Sequence, residues 1–362
     1  MSNHPLSSAS VTFFNGLRFV LASTVVIGHG FGFFFGYWDG LFPNKFPYIQ
    51  SIAVVGFFCV SGFLISMSVF EKLKGGDSSF RSYMVDRFSR IYCALLPCIL
   101  FVAVVDYAAY KMYPRFEFSG NLNFPTFIEK ILLIPSMPFG SMRPIWSLMF
   151  EWWIYILFGA LVFVNKNRVL GIIALVLGVY YTFFVNGNGE AGQLGTIWAV
   201  GAIAALYFKD ITNARFNKLL ASTLLLITAA VLYAVTLDAY DLCVGSLFSA
   251  GLILLAAHKN TLHVRSAKKS IVYQFLAGYS FTLFLTHYTV LSWVWRAGIH
   301  GVSGFLLSIF AANLIAIFIA RYTEVHHKSI SNCINRMLSS RCESLACPAI
   351  SKADFDGKKV KH

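Results

Sequence analysis

Residues 50–70 read QSIAVVGFFCVSGFLISMSVF, a stretch without one charged side chain. As a helix it rises about 30 Å, the thickness of a bilayer's hydrocarbon core. Gly56, Ser61 and Gly62 within it are small enough to let another helix approach closely. Comparable apolar runs recur on both sides, at 15–35, 91–110, 145–164, 169–185, 192–208, 219–235, 242–257, 271–295 and 303–321. The pattern predicts an all-α, polytopic transmembrane bundle of about ten spans. The run at 15–35 has no basic segment before it and no small-residue cleavage site, so it reads as a retained first helix rather than a signal peptide.

Composition agrees. The 362 residues are 57% hydrophobic and 12% charged, against about 45–50% and 25% in soluble domains. Mean hydropathy is +0.67. Charge this scarce cannot coat a soluble sphere. The net charge of +13 is not a nucleic-acid patch, because its members sit between apolar runs, in alternate loops.

Those loops orient the chain. With both termini cytoplasmic, the outer segments hold Lys45, Lys111, Arg115, Lys130, Arg143 and Arg296, and Arg18 lies inside the first span. Every other lysine and arginine of the 29 falls on the inner face, including Arg87, Arg90, Lys166, Arg265 and the basic tail. The expected division is a transmembrane domain over 1–322 and a basic, flexible cytoplasmic tail over 323–362, disordered or held to anionic lipid. The longest outer segment, 111–144, contains an amphipathic stretch at 127–134, suited to lie flat on the membrane or to cover an outer cavity. Cys333, Cys342 and Cys347, near His326 and His327, lack zinc-site spacing, and no metal is expected.

Ionisable side chains inside spans are costly and point to function. They are Arg18, His29, Asp106, Glu151 and His287. Arg18 and His29 stand eleven residues apart on nearly one helix face, about 16 Å in height. Snorkelling to the inner headgroups is the plain alternative for Arg18, and a helix–helix hydrogen bond is the alternative for His29. Counting rises from the outer boundary puts His29 about 14 Å deep and Glu151 about 9 Å deep. The two are therefore expected to meet as a base and its orienter, unless Glu151 is a structural ion pair or belongs to a capped helix start. Asp106 and His287 either line an outer cavity or pair inside the bundle. Arg87 and Arg90, at i,i+3, aim two guanidinium forks one way, as a phosphate-rich cytosolic ligand requires. Ordinary positive-inside charge is the plain alternative, and taken alone the commoner one. No Walker loop, dinucleotide fingerprint, HExxH or GxSxG element is present.

Taken in order, Leu17-Arg18 with His29, Phe57-Phe58-Cys59-Val60-Ser61-Gly62-Phe63-Leu64-Ile65, Arg87-Phe88-Ser89-Arg90-Ile91, Trp146-Ser147-Leu148 with Glu151, and Gly278-Tyr279-Ser280 through Leu285 and His287 resemble acyltransferase family 3. That family of membrane proteins includes O-acetyltransferases of lipopolysaccharide O-antigen, peptidoglycan and Nod factors. The resemblance covers residues 12–327. It implies an integral protein of the bacterial inner membrane that moves an acyl group, foremost acetyl, from cytosolic acyl-CoA to a carbohydrate hydroxyl. It also implies that His29 is the essential histidine, that Glu151 is a site residue, and that Arg18, Arg87 and Arg90 face the CoA. The chain departs from the family where Pro97 arrives late and where His326 replaces a proline after Tyr322-Thr323-Glu324-Val325. It carries no SGNH domain after the last span, which places a separate extracytoplasmic transferase among the expected partners. The alternative function is a solute transporter without catalysis, since ten spans with a few buried charges serve that too. A structural membrane subunit would leave His29 and Glu151 without a purpose.

Overall fold

The protein is described here from a computed structural model covering residues 6–36, 49–76, 79–113, 117–163, 168–185, 190–261 and 267–345. Lys45, Arg115, Lys166, Arg265, Cys347 and the tail beyond 345 lie outside the described residues. Hydrocarbon offers no partner to a free backbone N–H or C=O, and a helix satisfies both internally. Accordingly, every regular element among the described residues is helical. They are α1 (Ser8–Phe35), α2 (Ile49–Lys74), α3 (Phe80–Met112), α4 (Phe124–Ile131), α5 (Ile145–Phe163), α6 (Arg168–Val179), α7 (Glu190–Leu206), α8 (Phe208–Asn213), α9 (Lys218–Thr236), α10 (Leu242–Thr261), α11 (Ala267–Arg296), α12 (Gly301–Tyr322) and α13 (His327–Leu345).

Each apolar run coincides with a helix, and polar residues set where the helices begin. Ser7 caps α1 and Ser79 caps α3, each side chain accepting from a backbone N–H three residues on. These caps carry both helices well before their apolar runs. Arg87 and Arg90 therefore sit on the early turns of α3 rather than in a loop. Seven helical stretches among the described residues are long and apolar enough to cross a membrane: α1, α2, α3, α5, α9, α10 and the joined stretch Gly301–Leu338. The runs at 169–185 and 192–208 make shorter apolar helices, the first ending in a π-helical turn at Tyr180–Phe184. The 30-residue α11 is long enough but less apolar. Its Ser280, Thr282, Thr286, His287, Thr289 and Ser292 are all buried, so it presents polar side chains to the bundle interior. The protein is a multi-pass helical membrane bundle.

α2 is a central helix, packed on α7 and α1, while α11 packs on α1, α12 and α3. The small residues predicted to allow close approach do so. A methyl group on Gly62 would collide with the Trp198 carbonyl, and one on Gly201 with the Cys59 carbonyl. Backbone meets backbone there, with no flexible side-chain end to give way. Gly62→Ala is therefore expected to destabilise the bundle by about 1–3 kcal/mol, the usual size of an overpacking defect. The check is a thermal melt of the purified variant in detergent. A wild-type melting point would show that α2 and α7 are not held this tightly.

The segment at 127–134 forms most of α4 and the turn after it, which lie against α3 at Tyr92 and against α5 at Met149 and Trp153. Asn123 caps α4, and Tyr92 donates to the Ile131 carbonyl at 2.6 Å. Lys130, predicted as an outer charge, is fully buried. Its Nζ donates to the Ile134 carbonyl at 3.0 Å and to Ser136 Oγ, and it touches Met149 Sδ at 3.3 Å. Burial pulls its pKa down from the ordinary lysine value to about 8. Asp106 turns out to pair inside the bundle, anchoring the outer loop. Its carboxylate accepts the Ser141 N–H at 2.6 Å and the Ser141 hydroxyl at 2.9 Å. That hydroxyl has one proton, so it accepts in turn from Thr289 Oγ1 at 2.7 Å. Gly140 has φ +52°, and a side chain there would collide with Asp106.

The segment expected to be a flexible tail begins with a short turn at Glu324–His326 and continues as α13, packed on α3. Polar contacts hold it. Ser331 donates to Asp86 at 2.5 Å, and Arg81 donates to the Leu338 carbonyl at 2.8 Å.

Candidate active site

Two of the cavities in the bundle hold residues predicted for the site. The first, of about 240 Å³, is lined by Arg18, Arg87, Arg90, Ser61, Glu151 and Tyr155 together with an apolar wall from α2, α3, α5 and α11. α1 brings in Arg18, and one face of α3 brings in Arg87 and Arg90, as their i,i+3 spacing requires. No carboxylate lies within ion-pair distance of any of the three guanidinium groups among the described residues. Among the described residues Glu151 is the only carboxylate in the lining, so the chamber carries excess positive charge. Arg87 Nε is buried without a hydrogen-bond partner. A buried donor left over in a cationic chamber fits an anionic ligand.

Glu151 is bound within this chamber. Tyr155, one turn on, donates to Glu151 Oε1 at 2.5 Å. The tyrosine proton is then spent, so the Ser61 hydroxyl donates to Tyr155 Oη at 2.9 Å. Below the chamber, Glu324 accepts from the Thr282 N–H at 3.0 Å and from its hydroxyl at 2.9 Å. Arg18 lies within electrostatic reach of both Glu151 and Glu324.

The second cavity, of about 250 Å³, is lined by His29, Val25, Gln50, Ser51, Pro144, Trp146 and Tyr240. Several of these residues open or precede helices at the end of the bundle away from Arg87 and Arg90. His29 does not meet Glu151. Its partner is His287, with Nδ1 of His29 2.9 Å from Nε2 of His287. The two also differ in height: Gly28, beside His29, lies against Gln50 in the first turn of α2, whereas Glu151 reaches Ser61 through Tyr155, about three turns further along that helix. α11 rather than α5 faces His29.

The surroundings assign the protons. His287 Nδ1 lies 2.9 Å from the Phe284 carbonyl and 3.1 Å from the Leu283 carbonyl. Carbonyls only accept, so this nitrogen carries the proton, and Nε2 of the neutral ring is an acceptor. His29 Nδ1 must then donate to it. The lone pair of His29 is left on Nε2, which has no hydrogen-bond partner among the described residues. Tyr288 holds the ring edge-on, with centroids 5.2 Å apart, and Phe118 packs on Tyr288 at 6.3 Å. Phe118 is itself flanked by Arg143 and Arg296, each 5.7 Å from its ring centroid.

A half-buried imidazole with a free Nε2 in one cavity and a cationic chamber in the other suit group transfer. Comparison with known proteins agrees. A family model described as an acyltransferase domain matches residues 11–321. The chain belongs to acyltransferase family 3. No curated protein and no solved structure matches it. It is a membrane acyltransferase.

Of the residues predicted for the site of this acyltransferase, Arg18, Arg87, Arg90 and Glu151 come together and His29 stands in the other cavity. His287 was read only as cavity-lining or paired. Tyr155 was missed, although its i,i+4 spacing from Glu151 is the available signal. Ser61 was read as a packing residue. Among the described residues no group of three or more metal-ligating side chains forms.

Proposed function

We propose that this acyltransferase takes an acyl group, foremost acetyl, from cytosolic acyl-CoA and places it on a hydroxyl of a surface or lipid-linked carbohydrate. In this reading the chain crosses a bacterial inner membrane ten times with both termini in the cytoplasm. The observation that carries it is the division of labour between the cavities: three guanidinium groups in one, and an imidazole with a free nitrogen in the other.

Arg18, Arg87 and Arg90 hold the donor's phosphates from the cytosolic side. The acyl-bearing end reaches up between α2 and α11 toward His29. The acceptor hydroxyl enters from the opposite face and meets Nε2. As its oxygen attacks the thioester carbonyl, its proton passes to Nε2. The C–O bond forms, the C–S bond breaks, and the thiolate leaves with the proton that His29 returns. His29 lines the cavity away from the arginines, on the acceptor's side, which favours a base over an acyl carrier. A rapid quench that traps acyl-histidine would reverse that preference. Glu151 keeps Tyr155 and Ser61 in place and balances part of the arginine charge.

The test of the function is transfer of label from acetyl-CoA to saccharide in membranes of cells expressing the chain. Label should appear with the wild type. No transfer to any saccharide fraction, with the protein folded, would overturn the carbohydrate acceptor.

His287 is a positioning residue in this account. His287→Ala is expected to lower kcat about 10–100-fold, by analogy with the groups that orient metal-ligating histidines, with KM for the donor unchanged. His287→Gln offers a carbonyl oxygen to the same N–H and should recover part of the rate. A loss confined to KM, or no recovery with glutamine, would mean that His287 does not orient His29.

A further inference from the structure

The two cavities are separate, and Val54 and Phe284 are the residues that line both among the described residues. Both side chains are almost fully buried. Phe284 stands one turn before His287, and its carbonyl accepts the proton of His287 Nδ1 at 2.9 Å. Its ring packs edge-on against Phe57 with centroids 5.7 Å apart. The partition is therefore tied to the same helix turn that sets the tautomer of His29.

We infer that Val54 and Phe284 form the wall against which the donor's acyl chain stops, and so decide which acyl groups are accepted. This rests on the acyl-CoA reading above. For a hydroxyl activated at His29 to reach the thioester, the carbonyl carbon must stand at the partition, between the cavities. The donor's phosphates are held below it and the acceptor arrives above it. The acyl tail has only the space beside Val54, Phe57 and Phe284. An acetyl methyl needs little of it, and each further methylene presses on the partition. Shortening Phe284 opens apolar space where the chain would grow, and each methylene that fills such space strengthens binding about fourfold.

The experiment measures binding of CoA, acetyl-, butyryl- and hexanoyl-CoA to the purified full-length protein in detergent, for wild type, Phe284→Ala, Phe284→Leu and Val54→Ala. The wild type should bind acetyl-CoA best and lose affinity with length. Phe284→Ala should reverse the order and gain about tenfold or more for butyryl-CoA, with CoA itself unchanged. Phe284→Leu and Val54→Ala should shift the order less, in the same direction. They carry the test if thermal melts show that Phe284→Ala is unfolded. Folded variants that keep the wild-type order of chain lengths would overturn the inference and leave the donor reading intact. A wild type that binds acetyl-CoA and hexanoyl-CoA equally would also overturn it. A wild type that binds no acyl-CoA would overturn the donor reading itself.

Discussion

His29→Ala should lower acyl transfer by about 10²–10⁴-fold, the usual contribution of a positioned general base, while acyl-CoA still binds with wild-type affinity. The separation of the two effects follows from the geometry. His29 lines the cavity away from the three arginines and shares no hydrogen bond with any residue of the donor chamber. Removing it deletes the proton acceptor and leaves the phosphate site untouched. Initial rates with labelled acetyl-CoA, beside calorimetric binding on the same preparation, check both halves. If the alanine variant lost donor binding as well, the cavities would not be functionally distinct. If it kept its rate, the imidazole would have no chemical role.

Arg87→Ala/Arg90→Ala should have the complementary effect, weakening acyl-CoA binding by about 10²-fold or more. Hydrogen bonds to charged groups contribute about 1.5–3 kcal/mol each, and two lost together exceed that factor in Kd. The loss should vanish for an acyl-pantetheine, which has none of CoA's phosphates, because the deleted groups would have had nothing to hold. Rising salt should weaken wild-type binding more than binding to the double variant. The buried, unpartnered Nε of Arg87 makes Arg87 the larger of the two single effects. A double variant that binds acyl-CoA as the wild type does would return both arginines to ordinary topological charge.

The helices were legible because hydrocarbon leaves a spanning backbone no alternative. The apolar runs therefore mark α1, α2, α3, α5, α9, α10 and α12 directly. α11 is harder to recognise by hydropathy, since its buried serines, threonines and His287 face the interior and dilute the signal. Local spacing was equally readable. Arg87 and Arg90 share a face because i,i+3 residues must, and Gly62 meets a backbone because nothing larger fits. The pairing of His29 was not readable. Counting rises from assumed boundaries gives His29 and Glu151 similar depths, but how far each helix slides along and turns about its axis is decided by tertiary packing, which brings Glu151 to Tyr155 and His29 to His287. The start of the tail was missed for a related reason. Residues 327–345 are polar, and α13 is held by contacts to Asp86 and Arg81 that lie more than 240 residues away in sequence.

In the proposed mechanism donor and acceptor reach His29 from opposite membrane faces. Inverted membrane vesicles from cells expressing the chain expose the basic face outward and enclose the opposite face with its saccharides. Labelled acetyl-CoA added outside should transfer its label to enclosed saccharide, and His29→Ala vesicles should not do so. Label that reaches saccharide only when donor and acceptor are supplied on the same face would contradict the account.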